Sequence, residues 1–430
     1  MLLSSNLKRD GHIVDLYKYS SPGELFRLIM RDKPDIVGLS MTTGQHVGLL
    51  KIASLVKDFD KRIKVVVGGA HPTYFPEVSQ NVNVDYAVRG EADYSFPEFV
   101  NNLSIGLYPS NKLVDNGILP DDLDSFPFPD RSIVYQYKDY YDNGVRNVLT
   151  SRGCCFNCHY CYNSSYKKMY KGQKLVRYRS PENIIRECKE VMQMYPTNMF
   201  FFADDEFSMN ISRLKEIKDL YIKNIKLPFH CQIRIDLLNE ERITILKEMG
   251  CYSLTFAIES GNEELRKKLL NRNITNKQIT DGCKLLKKNK IKFRAENMIG
   301  LPMETWENVK ETIDLNVLVK PDYAWVSLYQ PYPFTVLGEY CKKNGLFDGN
   351  IDIINEQFSE DTVLKMSSFD KNRLINLQRL FGLVISFPIL RDFLFIILRI
   401  RNNNVYTRIR DTWKRYCYKK LFKCYIQGEI

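Results

Sequence analysis

Two rhythms alternate along the chain. Short apolar runs of strand length, such as "PDIVGLSM", "IKVVVGGAHP" and "VDYAVRGE", are separated by stretches where apolar residues recur every three or four positions. The first rhythm predicts buried β-strands and the second amphipathic helices. Over residues 1–100, "LLSSNLKR" predicts a helix stopped by Gly11, followed by a short strand at 13–16 and a helix at 47–58. Strand–helix alternation of this kind predicts a parallel sheet with helices on both faces, whose ligands lie beyond the carboxyl ends of the strands. Ser40, Thr42, Gly68 and Gly69 fall at those ends. A tight turn explains the two glycines equally well.

Residues 116–144, including "DDLDSFPFPDRS", are rich in Pro, Asp and Tyr and lack periodicity, which marks a linker. Alternation resumes at Val145, with strands near 145–150, 198–203, 229–235, 252–258, 291–299 and 323–329 and helices between them. Six such units predict an open barrel with its site at the strand ends. The fold class is therefore α/β: a doubly wound, Rossmann-like sheet over 1–115, then a partial (β/α)6 TIM-type barrel over 145–335. Residues 336–430 form a helical C-terminal region. Its apolar runs "LFGLVISFPIL" and "FLFIILRI" are separated by Arg391–Asp392, and neither reaches the roughly 20 residues of a membrane span. A core-packing cap is the simpler reading. Peripheral membrane contact through 380–424 is the alternative.

Composition changes this picture in two places. The net charge is +11, and residues 391–423 hold ten Lys/Arg against two Asp, so a nearly neutral body carries a basic end. That excludes a nucleic-acid binder with charge spread throughout. "MLLSSNLKRDGH" contains charges before any signal-length apolar core, which places the chain in the cytoplasm, membrane-peripheral at most. Eleven cysteines in a reducing compartment are free thiols or metal ligands rather than disulfides.

The stretch "TSRGCCFNCHYCYN" (150–163) concentrates four of them directly after a predicted strand. Cys154, Cys158 and Cys161 have the spacing C-x3-C-x2-C. Cys155–Cys158–Cys161 is an alternative register. Structural zinc wants four ligands, usually as two pairs, and no second pair follows. Three thiolates suit a [4Fe–4S] cluster with one iron open to a small chelator. His159 lies inside the loop and is read as pointing outward. Cys188, Cys231, Cys251, Cys283 and Cys341 are scattered and read as core thiols, and Cys417 with Cys424 makes no second cluster.

At this point the chain resembles the radical S-adenosylmethionine (SAM) enzymes. The cysteine loop, with Tyr160 before its third cysteine, carries the resemblance, and the other strand ends agree with it. "FFADDEF" (201–207) resembles the acidic motif that contacts the cofactor's amino group through Asp204 and Asp205. "CQIRID" (231–236) places Arg234 where the family often holds the methionine carboxylate. "FAIESG" (256–261) places Glu259 at a usual ribose contact. "NMIGLPMET" (297–305) resembles the segment against the adenine, through Ile299 and Gly300. "YQPYPFT" (329–335) is similar to a family turn, with Phe334 where glycine is usual. Each acid also has a bland reading as a solvated strand end, and Arg234 as a surface partner of Asp236. Tyr329 and Tyr332 fit a substrate pocket or the barrel rim.

The N-terminal region looks like the cobalamin-binding domain of one large subgroup, through "PDIVGLSMTTG", "VVVGGAHPT" and "VDYAVRGEADYSFPEFV". On that resemblance Ser40, Thr42, Gly68 and Gly69 line cobalamin. The subgroup begins with a further strand that this sequence lacks, and "DGHIVD" is not a D-x-H-x-x-G motif, so His12 is read as a turn residue. The resemblance implies a [4Fe–4S] cluster, S-adenosylmethionine and cobalamin, a 5′-deoxyadenosyl radical, and methylation of an unactivated carbon in a small-molecule or lipid-like substrate. An electron donor such as flavodoxin or ferredoxin is implied, and no nucleic acid. The alternatives are cyclisation or rearrangement without functional cobalamin, or a non-catalytic iron–sulfur scaffold or sensor.

Overall fold

The computed structural model describes residues 1–115, 117–356, 361–366, 370–390, 395–399 and 404–422. They divide into two compact units: Met1–Tyr137 with Tyr170–Lys174 and Asn350–Glu356, and the remainder. Residues 116–137 thus pack with the first unit, and the C-terminal helices with the second. Arg391, Asp392, Arg401, Lys423 and Cys424 lie outside the described residues.

The first unit holds a parallel sheet of β1 (Ile36–Ser40), β2 (Lys64–Gly68), β3 (Tyr86–Val88) and β4 (Leu113–Val114), in that order. Successive side chains of β2 point to opposite faces, as the strand repeat of two requires. Val66 packs with Leu7, Phe99 and Val100 from helices 2–9 and 95–104. Val65 packs with Leu25, Ile29, Ala53 and Val56 from helices 22–32 and 46–59. Helices therefore cover both faces. The helix at Pro22–Asp32 starts where Ser21 accepts the Glu24 N–H and Pro22 presets the first turn, and it stops at Lys33, φ 46°. The strand expected at 13–16 is not formed. Ile13 is fully exposed, and the Leu16 carbonyl accepts from the Tyr137 hydroxyl at 2.5 Å instead of a ladder partner.

The second unit is built on six parallel strands, β5 (Val145–Val148), β8 (Met199–Phe202), β9 (Phe229–Gln232), β10 (Cys251–Glu259), β11 (Lys292–Ile299) and β12 (Tyr323–Leu328), paired in that order. A two-residue ladder joins β6 (Ser151–Arg152) to β7 (Arg177–Tyr178). Phe200, Phe202, Phe229, Leu254, Phe256 and Phe293 face the connecting helices in one large core. The inner face alternates with it: Met199, Phe201 and Tyr323 pack with Cys417, Tyr418, Leu421 and Phe422 from helix Asn404–Phe422.

That last helix closes the amino-terminal end of the inner face. Ser253 donates to the Leu421 carbonyl at 2.7 Å, Lys292 to the Lys420 carbonyl at 2.8 Å, and Arg294 to the Tyr418 hydroxyl at 2.6 Å. The run over 380–385 belongs to helix Lys371–Ser386, whose Leu377, Leu380, Phe381 and Val384 pack with β12 residues Ala324, Val326 and Leu328. Leu380, Phe381, Val384 and Ile385 of this run are core, whereas Phe387, Ile389 and Ile396 are exposed, and 391–394 and 400–403 lie outside the described residues. Among the described residues no helix is long and apolar enough to cross a membrane.

His230 sits inside this floor, bonded to Ser253 Oγ at 2.7 Å and Thr255 Oγ1 at 3.0 Å. Burial pushes its pKa down to about 3. It is neutral in the fold, whereas the unfolded chain takes up the proton below about pH 6.5. The contribution of this residue is therefore constant above pH 6.5 and stability falls through it as pH drops toward 3, by about 2 kcal/mol at pH 5. Urea unfolding of wild type and His230→Gln at pH 7 and pH 5 checks this: between the two the wild type loses about 2 kcal/mol more than the variant.

Candidate functional site

Glycine, strand ends and buried charge together shape the cysteine loop. Gly153 has φ +85°, and a β-carbon there would lie 2.2 Å from the Leu175 carbonyl, so only glycine lets the chain leave β6 this way. His159 holds the middle of the loop: its N–H donates to the Leu270 carbonyl at 3.0 Å, its carbonyl accepts from Leu337 N–H at 2.9 Å, and Nδ1 meets the Leu269 carbonyl at 2.9 Å. Lys167 donates to the Phe156 carbonyl at 2.9 Å and to Asn157 Oδ1 at 2.8 Å.

Cys154, Cys158 and Cys161 are free thiols. They lie near enough that Cys158 raises the pKa of both others, after burial, the larger cause; Cys161 reaches about 11. Asn163 N–H points at Cys161 Sγ from 3.5 Å. Cys155 is exposed, its sulfur 3.6 Å from Met209 Sδ. Among the described residues no three Cys, His, Asp or Glu converge on one ion position. By the chemistry of the donor set, three cysteines suit a cube whose irons take one thiolate each.

The two acids after β8 separate. Asp204 is fully buried, and its carboxylate accepts from Thr150 N–H at 3.1 Å, Thr150 Oγ1 at 2.8 Å and Ser151 Oγ at 2.5 Å. It ties the end of β8 to the start of the cysteine loop. Burial raises its pKa. Asp205 is exposed, takes one bond from Asn163 Nδ2 at 3.2 Å, and acts electrostatically on Cys154 and Cys161. Glu206, which sequence reasoning passed over, is buried. It accepts from Ser208 Oγ at 2.6 Å and from the Arg234 N–H, and burial pushes its pKa up to about 7.

Arg234, beyond the end of β9, pairs with Asp236 through Nε at 3.1 Å and Nη2 at 3.0 Å. Glu259 ends β10 after a bulge and has φ +68°, a conformation costing a residue with a β-carbon roughly 1–2 kcal/mol. Its carboxylate accepts from Tyr160 Oη at 2.5 Å and lies 3.8 Å from Arg272. Arg272 also meets Tyr160 Oη at 3.3 Å and the Ala257 carbonyl at 2.8 Å. Burial raises the Glu259 pKa, and Arg272 opposes the rise. Arg272 was missed because the pattern around 262–270 reads as an ordinary helix, whereas the chain makes a wide π-turn at Leu265–Leu269.

Ile299 is the buried last residue of β11. Gly300 (φ +75°) donates its N–H to Glu304 at 2.7 Å, and Leu301 N–H reaches the same oxygen at 3.2 Å. Burial pushes Glu304 up to about 8. Phe334 has φ +67°, the physical reason for glycine in the related turn. Tyr162 and Tyr332 stack obliquely, 5.4 Å apart, and Tyr329 is buried.

The first unit has its own candidate face. Gly69 has φ +97°, and a β-carbon there would sit 2.9 Å from the Met41 carbonyl and 3.1 Å from Ser40 Oγ. Gly68 therefore leads into bare backbone beside the Ser40 hydroxyl, and the Thr42 hydroxyl donates to Gln45 at 2.9 Å. Bare backbone at strand ends suits a large flat ligand such as cobalamin. Two histidines that sequence reasoning did not select stand alongside. The rings of His46 and His71 stack at 4.0 Å, His71 Nδ1 meets Thr43 Oγ1 at 3.1 Å, and His46 Nε2 meets Asp352 at 3.0 Å. Burial lowers His71 to about 4, so it is neutral at pH 7. His12 bonds Asn101 at 2.6 Å, away from this face.

Residues 148–315 match the Radical SAM superfamily, and residues 1–100 match the B12 binding domain. An uncharacterized methyltransferase of Pyrococcus horikoshii is 31% identical over 83% of this chain and 79% of its own length. The anaerobic magnesium-protoporphyrin IX monomethyl ester cyclase of Rubrivivax gelatinosus is 25% identical, over 87% of this chain and 70% of its own. The structure of the radical SAM methyltransferase TsrM from Kitasatospora setae, with cobalamin and a [4Fe-4S] cluster bound, aligns with TM-score 0.62 at 17% identity. It covers 79% of this chain and 74% of that one, and shows a shared fold. The chain belongs to the radical SAM superfamily and carries a B12-binding domain. It is a radical SAM enzyme, and its cofactors are a [4Fe–4S] cluster, S-adenosylmethionine and cobalamin.

The Arg272–Glu259 pair generates a test. Removing one partner strands a buried charge, so Arg272→Met costs about 3–5 kcal/mol in urea unfolding. Adding Glu259→Gln to that variant recovers most of the loss.

Proposed function

We propose that this enzyme methylates an unactivated carbon of a small-molecule substrate. When bound, the cluster and S-adenosylmethionine supply a 5′-deoxyadenosyl radical, and cobalamin supplies a methyl group. The protein's part is to seat these groups and exclude water. Cys154, Cys158 and Cys161 hold three irons. Asp205, the exposed acid beside them with a single bond from Asn163, faces the cofactor's ammonium. Asp204 positions it by fixing the turn. Glu259, held by Tyr160 and Arg272, accepts ribose hydroxyls, and Ile299 with Gly300 lies against the adenine. Ser40, Thr42, Gly68 and Gly69 take cobalamin. Electrons come from a flavodoxin or ferredoxin.

The observation that carries this reading is three free thiols with the exposed Asp205 acting on two of them, beside the Tyr160–Glu259 bond. Methyl transfer is favoured over ring formation because the Pyrococcus relative, at the higher identity, is named a methyltransferase. Ring closure is the second reading, supported by the cyclase relative.

The test is anaerobic incubation of cluster-loaded, corrinoid-loaded protein with dithionite and S-adenosylmethionine. Methyl transfer predicts 5′-deoxyadenosine together with S-adenosylhomocysteine, and both vanish in Cys158→Ala. Deoxyadenosine alone moves the assignment to cyclisation or rearrangement. Neither product, from protein with a full cluster, leaves a scaffold.

A further inference from the structure

One buried cation is already spoken for on every side. The fork of Arg234 formed by Nε and Nη2 is closed on Asp236, at 3.1 and 3.0 Å. One guanidinium face lies on the Phe156 ring, 3.6 Å from its centroid. Nη1 points at Cys158 Sγ from 3.9 Å. The backbone is fixed as well, since the Arg234 N–H donates to buried Glu206, and the side chain is only 10% exposed. A methionine carboxylate needs a free fork to bind in bidentate fashion, and the side-on fork here is taken.

We infer that Arg234 is a donor to the cluster's Cys158 sulfur, setting its reduction potential, and not a clamp for the methionine carboxylate. This rests on the assignment of Cys158 as a cluster ligand. Hydrogen bonds to cluster sulfurs and the local charge set the potential of an iron–sulfur centre. Reduction adds an electron to the cube, so an N–H aimed at a thiolate favours the reduced form. Asp236 has the opposite sign: it holds the guanidinium in place while offsetting part of its charge. Arg234 acts through Cys158, so it is a positioning and tuning residue.

The experiment is an anaerobic redox titration of the reconstituted full chain, followed by electron paramagnetic resonance without S-adenosylmethionine, alongside equilibrium dialysis of S-adenosylmethionine. Arg234→Met lowers the midpoint by at least a tenfold change in the reduced-to-oxidised ratio, 59 mV for one electron. Asp236→Asn, which keeps the donor and removes the anion, raises it. Affinity for S-adenosylmethionine changes less than threefold in Arg234→Met. If that affinity falls tenfold or more while the midpoint stays put, Arg234 is the clamp and the inference is overturned. An unmoved or lowered midpoint in Asp236→Asn also overturns it, and decides the matter if Arg234→Met does not load a cluster. Wild-type protein without iron and sulfide would sink the cluster assignment itself, a separate failure read before any titration.

Discussion

Charge taken out of water must find a partner, and that requirement organises the carboxyl edge of the six-stranded sheet. Asp204, Glu206, Arg234, Glu259 and Arg272 are all buried there. An isolated buried ion costs several kcal/mol, so each is stable only inside a closed set of bonds. Asp204 is satisfied by Thr150 and Ser151, Glu206 by Ser208 and the Arg234 backbone, and Glu259 by Tyr160 and Arg272. Two of these sets include residues in or just before the cysteine loop. The loop is therefore positioned by the strands as well as by its own turn at Gly153.

From that constraint the rest of the barrel unit follows. Apolar side chains on the outer face bind the connecting helices, and the C-terminal helix fills the amino end of the inner face through Tyr418, Leu421 and Phe422. The inner face is thus covered at the end away from the cysteines, and the polar network lies at the carboxyl strand ends. The positive φ of Glu259 fits this picture: local strain of about a kcal/mol is tolerated where two partners fix the carboxylate.

Much of this was legible in the sequence, for identifiable reasons. Strands β8 to β12 alternate with helices that begin at caps such as Asn210, Thr275 and Thr305, so their type and succession could be read. Cysteine spacing singled out the loop. Three things were not legible. Which of two adjacent acids is buried depends on Thr150 and Ser151, 53 residues or more away in sequence. The role of Arg272 depends on a π-turn that shares its apolar spacing with an α-helix. The strand at 13–16 has the right residues but no paired neighbour, and the sheet extends past β3 to Leu113–Val114 instead. The apolar C-terminal helices carried an ambiguous signal, since the same amphipathic pattern serves a membrane surface or a barrel floor.

The most direct measurement of the central claim is Mössbauer spectroscopy of protein reconstituted with iron-57, before and after S-adenosylmethionine is added. Three thiolates gripping a cube with one vacant corner predict that a single iron of four changes its isomer shift and quadrupole splitting, the other three staying as they were. Four irons that ignore the sulfonium compound, or a centre holding one metal in place of a cube, would contradict the account.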